Sequence, residues 1–186
     1  MKRNYWPLLF IGIFAFTFAM IVWTVRSAIK VPVNEDKTFL KSYHEMDRDF
    51  NSIILSNAKF SDKFDFNIKI NKKDFSLVTD DMFLAQRAIE EKSDHKDTFI
   101  YGKNSLNILI KDKKNGNIVK NVDISFRISR PTNHNNTMDF INKDFKLTDD
   151  GYVLDTDLPL KGNWNATGSF KVDDYIGYFY IKSNAI

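Results

Sequence analysis

The sequence predicts a mainly β fold: an immunoglobulin-like antiparallel sandwich preceded by one transmembrane α-helix and a short amphipathic juxtamembrane helix. Three observations carry that expectation. Residues 6–25 form an uncharged apolar run, apolar residues from Phe39 to Ile53 recur at helical spacing, and from Phe64 onward short stretches alternate between apolar and polar residues. The corresponding division is an anchor over 1–30, a juxtamembrane linker and helix over 31–58, and an extracytoplasmic β-sandwich domain over 59–186.

The anchor comes first. Its 20 residues from Trp6 to Val25 contain eleven Leu, Ile, Phe or Val, and at 1.5 Å per residue they span about 30 Å, the hydrocarbon thickness of a bilayer. Each of those eleven contributes roughly −0.3 to −0.6 kcal/mol on the insertion scale, so insertion is favourable by about 3 to 7 kcal/mol. Trp6 and Trp23 fall at the two interfaces, and Pro7 suits a first helical turn, where its missing N–H costs nothing. A cleaved signal peptide has a shorter apolar region and a small-x-small cleavage site, neither of which stands out here. Lys2, Arg3 and the α-amino group oppose Arg26 and Lys30 across the membrane, and the balance favours the N-terminus inside. Ala15 and Ala19, with Gly12 nearby, give a small-xxx-small spacing able to admit a partner helix, or a chance placement of small residues.

Pro32 and a charged turn interrupt the helix. Phe39, Tyr43, Met46, Phe50 and Ile53 then follow at steps of four, three, four and three, so a helix to about Asn57 presents one apolar seam. Two roles are open to it: packing on its own domain, or docking to a partner subunit near the membrane. Beyond Lys59 the period becomes two. Strands are expected at Phe64 to Ile70, Leu106 to Ile110, Val122 to Ile128, Tyr152 to Thr156, Trp164 to Val172 and Tyr175 to Ile181. Asn115-Gly116 predicts a tight hairpin with a primed turn, and Asp149-Asp150-Gly151 a second hairpin. Asp80 to Lys96 reads as a polar helical turn or long loop.

Charge narrows the function classes. The formal charge of +3 rests on 27 basic against 24 acidic residues, but four of the basic ones precede residue 31, where no acidic residue occurs. The remaining body, 23 against 24, is near neutral and offers no basic stripe for a nucleic acid. With no cysteine there is no disulfide, no thiolate metal site and no cysteine nucleophile. Stability must come from a core, which 43% hydrophobic residues can supply.

Several short motifs stand out: Lys2 with Tyr5-Trp6-Pro7 opening the anchor, Tyr43, Arg127-Ile128-Ser129-Arg130-Pro131, Gly151-Tyr152, and Leu158-Pro159-Leu160-Lys161-Gly162-Asn163-Trp164. Together they resemble the FixH (CcoH) family of bacterial inner-membrane proteins linked to assembly of cbb3-type cytochrome c oxidase. The resemblance implies one membrane helix, a periplasmic β-sandwich, and an accessory protein that associates with oxidase subunits or their assembly factors rather than a catalyst. The acidic stretch from Asp80 to Asp97 departs from the pattern, as does Asn163, where the family often has Arg.

Read physically, Gly162 turns the chain into a strand, Trp164 fills space between sheets, and Pro131 ends the strand through Arg130 because it cannot donate to a ladder. The resemblance implies a setting in which copper is handled, and copper is held by soft ligands. Only His134 and Met138, in a loop from Asn133 to Asp139, fall close together, and a Cu(I) site normally has more than two soft donors; the plainer reading is a solvated loop histidine and a methionine that starts the next strand as core. A periplasmic copper carrier is therefore the weaker alternative, beside a membrane-tethered sensor or binding domain. No nucleophile elbow, zincin motif or phosphate-binding glycine loop is present, so neither an enzyme nor a small-molecule substrate is expected. The partner-binding candidates are Phe39, Tyr43, Met46, Phe50 and Ile53.

Overall fold

The computed structural model describes residues 5–30, 43–83, 94–131 and 133–186, without side chains at 30, 43–49, 83 and 133–135. The chain divides into two compact units, Met1–Glu35 and Asp36–Ile186.

The first contains α1, Trp6–Lys30, apolar all round and exposed along its length. Its span from Trp6 to Ile29 is long and apolar enough to cross a membrane. Two threonines inside it satisfy their hydroxyls on the preceding turn: Thr17 Oγ1 donates to the Ile13 carbonyl at 2.9 Å and Thr24 Oγ1 to Met20 at 2.8 Å. That back-bonding removes the cost of taking a bare hydroxyl into hydrocarbon.

The second unit is an antiparallel β-sandwich with a helix packed along it. Helix α2, Tyr43–Lys63, leads directly into β1, Phe64–Ile70. The other strands are β2 Lys73–Phe75, β3 Gly102–Asp112, β4 Asp123–Arg130, β5 Asn133–Ile141, β6 Lys146–Thr148, β7 Gly151–Leu158, β8 Gly162–Val172 and β9 Tyr175–Ala185. They form one sheet in the order β2-β1-β3-β7-β6 and another in the order β5-β4-β8-β9. Alternation decides which side chains meet between them. Ile68, Leu106, Ile108 and Ile110 from the first sheet, with Ile124, Phe126, Ile128 and Phe170 from the second, belong to one buried cluster.

All six expected strands form. Sequence reading missed β2 and β6, which are three residues each, and reached β5 only from Met138 onward, because its Asn-rich opening hides its period. The opening read as loop is strand as well, so His134 lies in β5 together with Met138. The first expected hairpin is also looser than a primed two-residue turn. Gly116 N–H donates to the Asp112 carbonyl at 2.7 Å and Asp112 N–H to Asn117 at 3.0 Å. Gly116 is left-handed at φ 69° while Asn115 is not, so one positive φ closes a longer loop. The second hairpin forms as expected, with Thr148 opposite Gly151. The Asp80 stretch opens as a helical turn over Asp80–Phe83; residues 84–93 lie outside the described residues.

Tyr152 is buried and its hydroxyl donates to the Val119 carbonyl at 3.2 Å. Burial pushes its phenol above the ordinary value, because the phenolate would lose hydration. The unfolded phenol ionises near pH ~10 and the folded one higher, so unfolding releases a proton in that window. Stability is thus fully present below about pH 10 and falls as pH rises through the folded value. In urea titrations of the full chain above pH 10, the Tyr152→Phe variant is expected to lose less stability per pH unit than the parent; parallel losses would contradict this.

Candidate functional site

Helix α2 is bound to its own domain through its C-terminal half. Phe60 is fully buried, with its ring centroid 4.9 Å from Phe64 and 6.4 Å from Phe66. Gly177 of β9 makes room for it: a Cβ there would lie 3.2 Å from Phe60 and 3.0 Å from Leu77. Two turns earlier, Ile53 is 3% exposed and packs with Tyr180, Met82 and Tyr178.

Polar groups continue this contact along the outer edge of β9, whose backbone would otherwise be an open template for pairing. Ser56 Oγ donates to the Ile176 carbonyl at 2.6 Å. Asn57 acts as a surrogate strand residue, its Nδ2 donating to the Tyr178 carbonyl at 2.9 Å and its Oδ1 accepting Tyr178 N–H at 2.7 Å. Tyr180 N–H then donates to Val78 at 2.7 Å, Lys182 N–H to Asp81 Oδ2 at 2.9 Å, and Phe99 N–H to the Asn184 carbonyl at 3.3 Å. Every second residue of the edge is thus satisfied by a helix, a loop or a carboxylate.

Asp81 is the least anticipated member. It is 2% exposed, and its Oδ2 also lies 2.7 Å from His95 Nδ1. The His95 ring meets Phe75 edge-on at 5.5 Å, while its carbonyl accepts the Thr98 and Ser183 hydroxyls. Sequence reasoning took Asp80-Asp81 as turn residues, and nothing in a 14-residue separation signals the pair. Both members support the chain trace beside β9.

At one end of the sandwich the separated sequence motifs converge. Trp164 is fully buried, and its indole N–H donates to the Leu160 carbonyl at 3.0 Å. The Arg130 guanidinium sits 5.6 Å from its ring, within cation–π reach. Gly162 adopts φ 101°, and a Cβ there would crowd Arg130 at 3.2 Å. Pro131 follows Arg130 at the end of β4, as expected. Tyr101 N–H bonds the Ile186 carbonyl at 3.0 Å, Gly102 pairs with Leu158 and Gly162 with Ala185. That topology brings exposed Ile100, Tyr101, Leu160 and Ile186 to the same end.

Of the predicted partner-binding residues, Phe39 lies outside the described residues, Tyr43 and Met46 are helical without described side chains, Phe50 is half-buried and Ile53 is buried on the domain. Among the described residues of α2, the large apolar side chains left exposed are their neighbours Ile54 and Leu55, the latter 61% exposed. Met138 is half-buried against the core, and its sulfur accepts the Thr156 hydroxyl at 3.7 Å. Extended backbone puts about 13 Å between the Cα atoms of His134 and Met138, a spacing unlike that of a compact two-ligand site. Among the described residues, no group of three or more His, Cys, Asp or Glu could hold a metal ion.

A groove of about 770 Å³ at the C-terminus of α2 is lined by Lys59, Lys63, Lys113 and Lys114 with Asp62 and Asp174. Two of its lysines are already used: Lys113 Nζ donates to the Ser61 carbonyl at 2.5 Å and lies 3.6 Å from Asp65, while Lys63 Nζ sits 4.3 Å from the Tyr175 ring centroid. Cations there complement the negative end of the helix dipole.

Comparison with known protein families finds no match for this chain, and comparison with curated proteins finds none.

Proposed function

We propose that this chain is a membrane-anchored accessory factor for the assembly or maturation of cbb3-type cytochrome c oxidase, acting by protein–protein contact. Its anchor lies in the bacterial inner membrane, its N-terminus in the cytoplasm and its sandwich in the periplasm. The observation that carries the reading is the convergence of the FixH-like motifs: Arg130-Pro131, thirty residues from Gly162-Asn163-Trp164 in sequence, meets it at one end of the sandwich. Beside that meeting point stand Tyr101, Leu160 and Ile186, exposed apolar side chains suited to a partner surface. The charge bias around the anchor supports the orientation.

Deleting the gene is expected to lower assembled oxidase while oxidase-subunit transcripts stay unchanged; an unaltered oxidase level would contradict the proposal. A finer prediction concerns the surface. Tyr101 is 55% exposed, so the Tyr101→Asp, Leu160→Asp double variant should fold with little loss of stability yet release co-purifying oxidase subunits. Unchanged recovery would show that this end is not the contact.

A further inference from the structure

Strand β4 carries two arginines in opposite circumstances. Arg127 has a carboxylate: its Nε and Nη2 donate to Asp139 at 2.5 and 2.9 Å. Arg130 has none. Its Nε is buried without a hydrogen-bond partner, and the ion pairs among the described residues, His95–Asp81, Lys113–Asp65 and Arg127–Asp139, leave its guanidinium out.

A charged donor buried without an acceptor is among the costlier arrangements a fold can hold, and an arginine at a strand end can ordinarily avoid it by reaching into water. Here the surroundings hold it in place. Arg130 follows Ile124, Phe126 and Ile128 at two-residue steps, and its guanidinium lies 5.6 Å from the ring of Trp164, a member of the same core cluster. Gly162 leaves the space for it, since a Cβ there would lie 3.2 Å from Nη2. The residue as a whole is only half-buried, so a ligand can reach the guanidinium. Around it the chain supplies an apolar rim. The Leu160 carbonyl accepts the Trp164 indole N–H, Gly162 pairs with Ala185, and the next residue, Ile186, is tied to Tyr101; Leu160, Ile186 and Tyr101 are all exposed.

We propose that Arg130 is the recognition point for a carboxylate, presented as an aspartate or glutamate side chain between apolar residues of the partner protein. The proposal rests on the reading of this end of the sandwich as a partner surface, and it names the chemistry that the partner brings. A guanidinium fork matches the two oxygens of a planar carboxylate, which it binds in bidentate fashion. Phosphate groups are typically taken by clusters of arginines, whereas here a single guanidinium is set among apolar side chains. Docking of the rim excludes water, which strengthens the ion pair, and the incoming charge compensates the unpaired cation that the free domain carries. Arginine on an aromatic floor inside an apolar ring is also the composition typical of the residues that dominate protein interfaces.

The probe is an acetylated, amidated leucine–glutamate–leucine tripeptide, with its glutamine counterpart and inorganic phosphate as controls at equal ionic strength. The readout is the indole N–H resonance of Trp164 in the isotope-labelled full-length chain, solubilised in mild detergent and told apart from Trp6 and Trp23 with Trp6→Phe and Trp23→Phe chains. The glutamate tripeptide is expected to give a saturable shift that neither control reproduces. Arg130→Gln and Arg130→Met should weaken it by about tenfold or more, the loss of a charge-assisted hydrogen bond, and Arg130→Lys, which keeps the charge but not the fork, should restore only part. The comparison of the two tripeptides on the unaltered chain decides the matter even if a variant fails to fold. Absence of a saturable shift, equal shifts with the glutamine tripeptide or phosphate, or undiminished binding by a folded Arg130→Gln chain would each overturn the proposal. So would equal recovery of oxidase subunits by the parent and Arg130→Gln chains. Specific binding of the glutamate tripeptide by a chain that recovers no oxidase would instead contradict the oxidase reading and leave the carboxylate site standing.

Discussion

Replacing Trp164 with alanine is expected to destabilise the sandwich by about 3 to 5 kcal/mol, the range for emptying a fully buried tryptophan site. The side chain has no exposed surface, and the substitution also strips the Leu160 carbonyl of its indole donor and the Arg130 guanidinium of its aromatic face. Domains of this size have stabilities of about 5 to 15 kcal/mol, so the loss is a large share of the total. A fall of roughly 6 to 20 °C in the unfolding midpoint should follow. Near-ultraviolet circular dichroism of the detergent-solubilised full chain would measure it, and a change of less than about 1 kcal/mol would mean that the Arg130–Trp164–Gly162 end is not part of the core.

Phe60→Ala should cost a similar amount, about 3 to 5 kcal/mol, for a different reason. Phe60 is the side chain that pins α2 between β1 and Gly177. When it is lost, Ser56 and Asn57 are no longer held against β9, and the edge groups of Ile176 and Tyr178 lose their partners. The specific expectation is therefore local: hydrogen exchange at the Tyr178 amide should accelerate more than exchange at Phe126 in the centre of the opposite strand pair. Equal acceleration at both would mean that the helix does not act as the edge's cap. Equal stability of variant and parent would mean that α2 is not structurally coupled to the sandwich.

Much of this architecture was legible because two periods are written plainly in the sequence. The apolar run of α1 and the alternation in Phe64-Asp65-Phe66-Asn67-Ile68 leave little choice of element type. Gly162 and Trp164 could be read as turn and core because each residue type suits a narrow physical role. What escaped was set by contacts across the chain. Asn57 looks like an ordinary polar helix residue until β9 lies beside it, 121 residues later. Asp81 looks like a turn former, and only the fold buries it against Lys182 N–H and His95. The first half of strand β5 was missed because Asn133 to Asn136 interrupt the apolar alternation, so Met138 and Phe140 alone mark its inner face. The helical seam shows the same limit: its spacing gave a helix, while its destination at Ile53, the surface of β9, depended on tertiary packing.

The central claim is that the sandwich serves oxidase assembly by direct contact. Its most direct test is a pull-down of the tagged full-length chain, expressed at low level in its native membrane, solubilised in mild detergent and analysed by mass spectrometry. The account predicts recovery of cbb3-type oxidase subunits or their assembly factors; a pull-down that retains the chain and contains neither would contradict it.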